Sequence, residues 1–147
     1  MYSFALMDLS TRMYIGYAVS MKSEKDAYMK AIEMIARMSI DLESIRLDRY
    51  YSGQRILDDF SENTRIFIIP RKNSRIRGPK RWREIIRRFM NDPIAYLREY
   101  FRRNNSEAGF SADKRSKGHM IFQKRKDRIE TSGFCKGLLH NLMFVNG

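Results

Sequence analysis

Cysteine is almost missing from this chain. Cys135 is the single one, which excludes an internal disulfide and a cysteine-based zinc site and fits a reducing, intracellular compartment. Long apolar runs are missing too: no stretch reaches the ~18 apolar residues of a membrane-spanning helix. There is no long basic helix with a clean apolar face, so no membrane partner is expected. The opening, MYSFALMDLS, carries Asp8 early and has no basic n-region, so it does not read as a signal peptide. Histidine is scarce, and His119 and His140 have no partner spacing for a metal; both read as structural or surface residues. Internal repeats and low-complexity tails are absent. Acid is in the minority, with 17 Asp and Glu against 29 Lys and Arg, a net charge of +12 and a pI near 10.1. That balance calls for a polyanionic partner, nucleic acid first.

What is present suffices for one domain: 147 residues, 43% of them hydrophobic. Residues 3–9 and 13–19 read as two strands of an antiparallel hairpin, with Asp8 near the end of the first. Ser23 and Asp26 resemble a capping box that opens a mostly buried helix to about Met38, in which Met29, Met34 and Met38 read as core filler. Residues 45–47 form a short strand ended by Asp48, and a helix from Ser52 or Gly53 runs to Phe60. RIFII, residues 65–69, is the clearest strand and Pro70 stops it. If the strands ending at Asp8 and Asp48 are neighbours in one sheet, their carboxylates stand side by side.

Residues 70–83 hold seven Lys or Arg in fourteen positions and no acid. A loop of that kind, with Arg71, Lys72, Arg75, Arg77, Lys80 and Arg81, suits contacts to a phosphate backbone; the plainer reading is a solvated loop. Trp82 can stack on a base, although its neighbours Ile85, Ile86 and Phe89 favour an anchor for a helix over residues 80–90. Asp92-Pro93 starts the next helix, whose Ile94, Leu97 and Phe101 predict a core-facing stripe. That helix either runs on through residues 100–114 or breaks near Asn104-Asn105. Gly109 inside it suggests close approach of a backbone or ligand. Residues 115–128 are basic again. Residues 131–145 read as an amphipathic helix with Phe134, Leu138, Leu139, Leu142 and Phe144 inward.

Tyr100, Arg103, Glu107 and Lys114 have spacings that confine them to a sector of roughly 60° on a helix, in a line about 21 Å long. A solvated charged face would look similar. Two strand-end carboxylates and one helical carboxylate suit a pair of hard divalent cations, which can activate an oxygen nucleophile and stabilise the leaving oxygen in phosphodiester displacement.

The order of strands and helices, with Asp8, Asp48 and Glu107, resembles the RNase H-like catalytic core of DDE transposases. Residues 100–114 match the insertion-sequence signature Tyr-x2-Arg-x3-Glu-x6-Lys through Tyr100, Arg103, Glu107 and Lys114. Asp48-Arg49-Tyr50-Tyr51 resembles the family's Asp-x-x-Tyr, RIFIIPRKN its following strand and basic loop, and His140-Asn141-Leu142 its closing helix. The resemblance implies one α/β, RNase H-like catalytic domain over residues 1–147, a mixed central sheet flanked by helices. It implies that Asp8, Asp48 and Glu107 hold two Mg²⁺ or Mn²⁺ ions, that Arg103 and Lys114 contact phosphates near the transposon end, and that Tyr100 positions the strand. The implied reaction is nicking at the element end, then attack of the freed 3′-OH on target DNA. The partners would be double-stranded DNA at transposon ends and target, with a homodimer among the allowed assemblies, in the prokaryotic cytoplasm with the nucleoid. Full transposases usually carry an N-terminal region that recognises the terminal inverted repeats. This chain starts seven residues before Asp8, so the expectation is a core without that region. The alternatives are an inactive remnant that only binds nucleic acid, and a nuclease of the same fold.

Overall fold

The computed structural model describes residues 1–103 and 126–145. Its architecture is mixed α/β, with helices and two small sheets. The chain divides into two units, Met1–Ile40 with Asn104–Gly147, and Asp41–Arg103.

In the first unit β1 (Tyr2–Met7) and β2 (Tyr14–Ser20) pair antiparallel, with a register shift between Leu6 and Met7. The alternation of a strand sends Gly16 and Ala18 to one face of β2 and Tyr17 and Val19 to the other. On the first face lies α1 (Glu24–Arg37), with Ala27, Tyr28, Ala31 and Ile35 buried. Small residues bring it close: a Cβ on Gly16 would sit 2.9 Å from Ile35 Cδ1. On the second face lies α4 (Lys126–Val145). A Cβ on its Gly137 would stand 2.6 Å from the Tyr17 ring.

The capping box is half present. Ser23 Oγ accepts from the Asp26 N–H at 3.1 Å, but the Asp26 carboxylate accepts from Ser20 Oγ at 2.5 Å and pairs with Lys30 at 3.4 Å. Two expectations for the helices of this unit change. Met29 and Met38 are exposed, because the core face of α1 is filled by alanines that let the strand approach. In α4 the buried positions are Gly133, Gly137 and His140, while Leu138, Leu139 and Leu142 are exposed. Glycine admits the Tyr17 ring where leucine would collide with it; the Phe144 side chain lies outside the described set.

In the second unit β3 (Ser44–Arg46) pairs parallel with β4 (Arg65–Phe67). The expected single central sheet is thus two two-stranded sheets among the described residues. Asp48 follows β3 and caps a 3₁₀ turn, Arg49–Tyr51, by accepting from the Tyr50 N–H at 3.2 Å. A second 3₁₀ segment, Gln54–Asp59, stands where a helix is expected. Helices α2 (Lys80–Asn91) and α3 (Pro93–Phe101) follow, the latter capped by Asp92, which accepts from the Ala95 N–H.

Arg65 and Phe67 turn their backbone groups to β3: the Arg65 N–H donates to Glu43 O and the Leu47 N–H to Phe67 O. The opposite edge of β4 needs other partners. Side chains supply them: Arg81 donates to Thr64 O, Arg88 to Ile66 O, and the Tyr96 hydroxyl takes the N–H of Ile68 and donates to its carbonyl. This bridge also sets the phase of α3. Tyr96 and Tyr100 face the core, while Ile94 is 72% and Phe101 50% exposed, so of the expected Ile94–Leu97–Phe101 core stripe the two ends are turned outward and Leu97 is half-buried. Ile45, Leu47, Leu57, Ile66, Ile68, Ile85 and Ile86 complete the core, each contributing about 1.5–3 kcal/mol when buried.

Candidate catalytic carboxylates and nucleic-acid interface

Asp8 stands one residue past β1, at the head of the β1–β2 turn. Its carboxylate accepts from the Thr11 hydroxyl at 2.7 Å, from the Ser10 hydroxyl at 2.9 and 3.0 Å, and from both backbone N–H groups. The Thr11 hydroxyl, followed by the Ser10 groups and the Thr11 N–H, holds the carboxyl below its ordinary value against a smaller opposing effect of burial. Arg12 closes the turn in the left-handed region, at φ 60°.

The far side of this turn is held by α4. Asn141 accepts from the Tyr14 N–H at 2.6 Å and donates to the Tyr14 carbonyl at 2.7 Å. His140 stacks on the Tyr14 ring at 4.0 Å, and its Nε2 lies 2.8 Å from the Arg12 carbonyl. A carbonyl only accepts, so Nε2 carries the proton. His140 is therefore a structural residue, and the His140-Asn141 pair positions the turn that begins at Asp8. In the sequence this shows as a polar pair in an otherwise apolar stretch.

Asp48, Tyr100 and Arg103 come together in the second unit. Helix α3 ends at Phe101, and the Arg103 N–H folds back to Tyr100 O at 3.2 Å. Arg103 Nη2 donates to Asp48 Oδ2 at 2.9 Å, and Nη1 to the Tyr100 hydroxyl at 3.2 Å. The guanidinium also lies 5.5 Å from the Tyr100 ring centroid. Tyr100 is 1% exposed, so its direct surface for a DNA strand is negligible; it supports Arg103 from beneath. Glu107, Gly109, Lys114 and His119 lie outside the described residues. Among the described residues no group of three His, Cys, Asp or Glu is placed to hold a metal ion.

The basic segment sorts into two kinds of residue. Arg71, Lys72, Arg75, Arg77 and Lys80 are exposed. Their loop is nevertheless pinned. Gln54 Nε2 donates to Arg77 O at 3.0 Å, and Gly78 takes φ +121°, where a Cβ would meet the Gln54 amide at 2.7 Å. With Ser52, Gln54 and Asn73, Arg75 and Arg77 line an open cleft of ≈ 510 Å³. Trp82 and Arg81 belong to the interior instead. Trp82 is buried, with Nε1 donating to Arg75 O at 3.2 Å, so it anchors the loop and has little surface left to stack on a base. Arg81 donates to four carbonyls, those of Leu57, Phe60, Ser61 and Thr64, at 2.6–2.9 Å. A guanidinium so engaged has little left for a phosphate.

One ion pair had no sequence signal. Arg46, 6% exposed in its side chain, pairs with Glu99 at 2.8 Å and ties β3 to α3. Among the described residues no helix is long and apolar enough to cross a membrane.

These elements define a mixed α/β protein with carboxylates just past two strand ends and a fixed cationic loop. The chain matches no protein-family profile and no solved structure. Over 144 residues, 98% of its length, it is 44% identical to a protein of Archaeoglobus fulgidus named a probable transposase for insertion sequence element ISA1214. The chain spans 44% of that protein's length. It is thus a homologue of a probable insertion-element transposase.

Proposed function

We propose that the chain is the RNase H-like catalytic domain of a DDE transposase, spanning residues 1–147, that nicks DNA at insertion-sequence ends and joins them to a target. The observation that carries this reading is the 44% identity over nearly the whole chain to a probable transposase. The signature residues, and the placing of Asp8 and Asp48 just beyond β1 and β3, support it. Asp8, Asp48 and Glu107 are the metal ligands in this reading. Asp8 and Asp48 offer the hard oxygen donors that Mg²⁺ and Mn²⁺ take, and Asp48 Oδ2 already accepts from a cation. Two such ions, when bound, activate the attacking oxygen and stabilise the leaving one.

The chain's own residues supply the rest. Arg71, Lys72, Arg75, Arg77 and Lys80 hold phosphates along the duplex. Arg103 and Lys114 grip those nearest the reacting bond, where a guanidinium offers two parallel donors and an ammonium a point charge. In the first step water attacks the phosphorus and the 3′-oxygen leaves with a proton. In the second that 3′-OH attacks a target phosphodiester, the target strand's own 3′-oxygen leaves and takes up the proton, and a new phosphodiester replaces the one broken. The partners are element-end and target duplexes, with a homodimer as the assembly that holds two ends.

The test supplies element ends with preformed 3′-OH groups, a supercoiled target plasmid and Mn²⁺. The parent protein yields joined product, and Asp8→Ala, Asp48→Ala and Glu107→Ala do not. Joining by any of the three at the parent rate refutes the triad, and hydrolysis without joining indicates a nuclease. A second reading, nucleic-acid binding alone, rests on the exposed cations Arg71, Lys72, Arg75, Arg77 and Lys80, which hold a polyanion without any metal. A mobility shift that survives EDTA, with no cleavage in any divalent metal, would establish it.

A further inference from the structure

Asp48 divides its two oxygens between different tasks. Oδ1 caps the 3₁₀ turn through the Tyr50 N–H, and this holds the carboxylate at the end of β3. Oδ2 faces Arg103 Nη2 at 2.9 Å. The pair is half open to water, with side-chain exposures of 55% for Asp48 and 21% for Arg103. An ion pair of that exposure contributes only ~0–1 kcal/mol, so it is readily exchanged. By contrast Arg46, nearly buried, is tied to Glu99 through both its carboxylate and its carbonyl and to Ser44 Oγ. Arg103 also has a buried support: the Tyr100 hydroxyl lies 3.2 Å from Nη1 and the ring, 1% exposed, lies beneath the guanidinium.

From this geometry we propose that Arg103 is a placeholder cation. It occupies Asp48 in the metal-free protein and passes to a DNA phosphate when a divalent ion takes its place, so that metal and DNA binding reinforce each other. The inference rests on the reading of Asp48 as a metal ligand. Oδ2 cannot serve both cations fully, and a divalent ion beside it repels the guanidinium. The displaced fork keeps its Tyr100 support, and its planar donors match a phosphate in geometry and charge. Coupling of this kind is reciprocal: what DNA does for the metal, the metal does for DNA. Arg103 is then a positioning residue whose partner changes during binding.

The test measures Mn²⁺ affinity of the whole chain by electron paramagnetic resonance of the free ion, and duplex affinity by fluorescence anisotropy in Mn²⁺ and in EDTA at equal ionic strength. Arg103→Gln should bind Mn²⁺ about threefold to fivefold more tightly than the parent, since the competing ion pair is gone. Arg103→Lys, which keeps the charge, should return the affinity toward the parent value. Addition of Mn²⁺ should tighten duplex binding more in the parent than in Arg103→Gln. If Arg103 only braces Asp48, Arg103→Gln binds Mn²⁺ equally or more weakly, and the inference is overturned. It is also overturned if Mn²⁺ tightens duplex binding equally in both proteins. Asp48→Asn separates the two levels: loss of a Mn²⁺ site there with no effect of Arg103→Gln removes the placeholder alone, whereas unchanged Mn²⁺ binding removes the metal-ligand reading and the placeholder with it.

Discussion

Arg81→Met removes a guanidinium that serves four carbonyls and leaves most of the aliphatic stem in place. The contacts to Leu57 O, Phe60 O, Ser61 O and Thr64 O measure 2.9, 2.8, 2.6 and 2.7 Å. Hydrogen bonds from a charged donor are worth about 1.5–3 kcal/mol each. Water can replace the donor at the exposed Ser61 carbonyl and partly at its neighbours, so the sum is well below four full bonds. A net loss of about 3 kcal/mol follows, and for a chain of this size that lowers Tm by roughly 10 °C. Circular dichroism melts of parent, Arg81→Met and Arg81→Lys measure it. The lysine variant should fall nearly as far, since one ammonium cannot reach four carbonyls spread around a planar fork. Anisotropy titrations with a duplex, run on the folded variants, should show the parent affinity. A Met variant that melts with the parent but binds DNA weakly would refute the reasoning and return Arg81 to the interface.

The exposed loop cations should behave in the opposite way. Arg75→Ala and Arg77→Ala should leave melting unchanged and weaken duplex binding. Each should also reduce the slope of log K against log salt by about 1 for every phosphate its side chain neutralises in the parent. Tyr96→Phe removes the hydroxyl that bridges Ile68 N–H and C=O and should cost about 2 kcal/mol in urea unfolding. Burial raises the Tyr96 phenol above its ordinary value. The folded value thus exceeds the unfolded one, so its contribution is full below pH ~10 and falls as pH rises through the folded value; Tyr96→Phe should blunt this alkaline loss. Gly137→Ala places a Cβ 2.6 Å from the Tyr17 ring and should destabilise by about 1–3 kcal/mol in the same assay, whereas Gly53→Ala, with nothing within 4 Å, should be silent.

Local signals carried a good part of the fold. Ser23 and Asp92 start their helices through short-range bonds of their own side chains, and the apolar runs at β1, β2 and β4 need only the strand alternation. Asp8 and Asp48 fall just past strand ends because each then organises the turn that follows. The apolar stripes were less informative. In α3 and α4 the leucines, isoleucines and phenylalanines have helical spacing, but two tyrosines and two glycines decide the inward face. Spacing alone cannot register a hydroxyl that satisfies a strand edge, or a glycine that makes room for a ring.

The sequence by itself determined the charge balance, the lone cysteine, the helix starts, the strand-end acids and the spacing of Tyr100 and Arg103. Each depends on composition or on neighbours a few residues apart, where chain geometry leaves few choices. Only the tertiary structure decided which cations of the basic segment face water. Arg81 and Arg77 look alike in sequence, yet four carbonyls clustered at one place draw one inward and Gln54 fixes the loop that exposes the other. Tertiary structure likewise paired Arg103 with Asp48 across 55 residues of chain, a contact that no local rule encodes, because it requires β3 and the end of α3 to pack against one core.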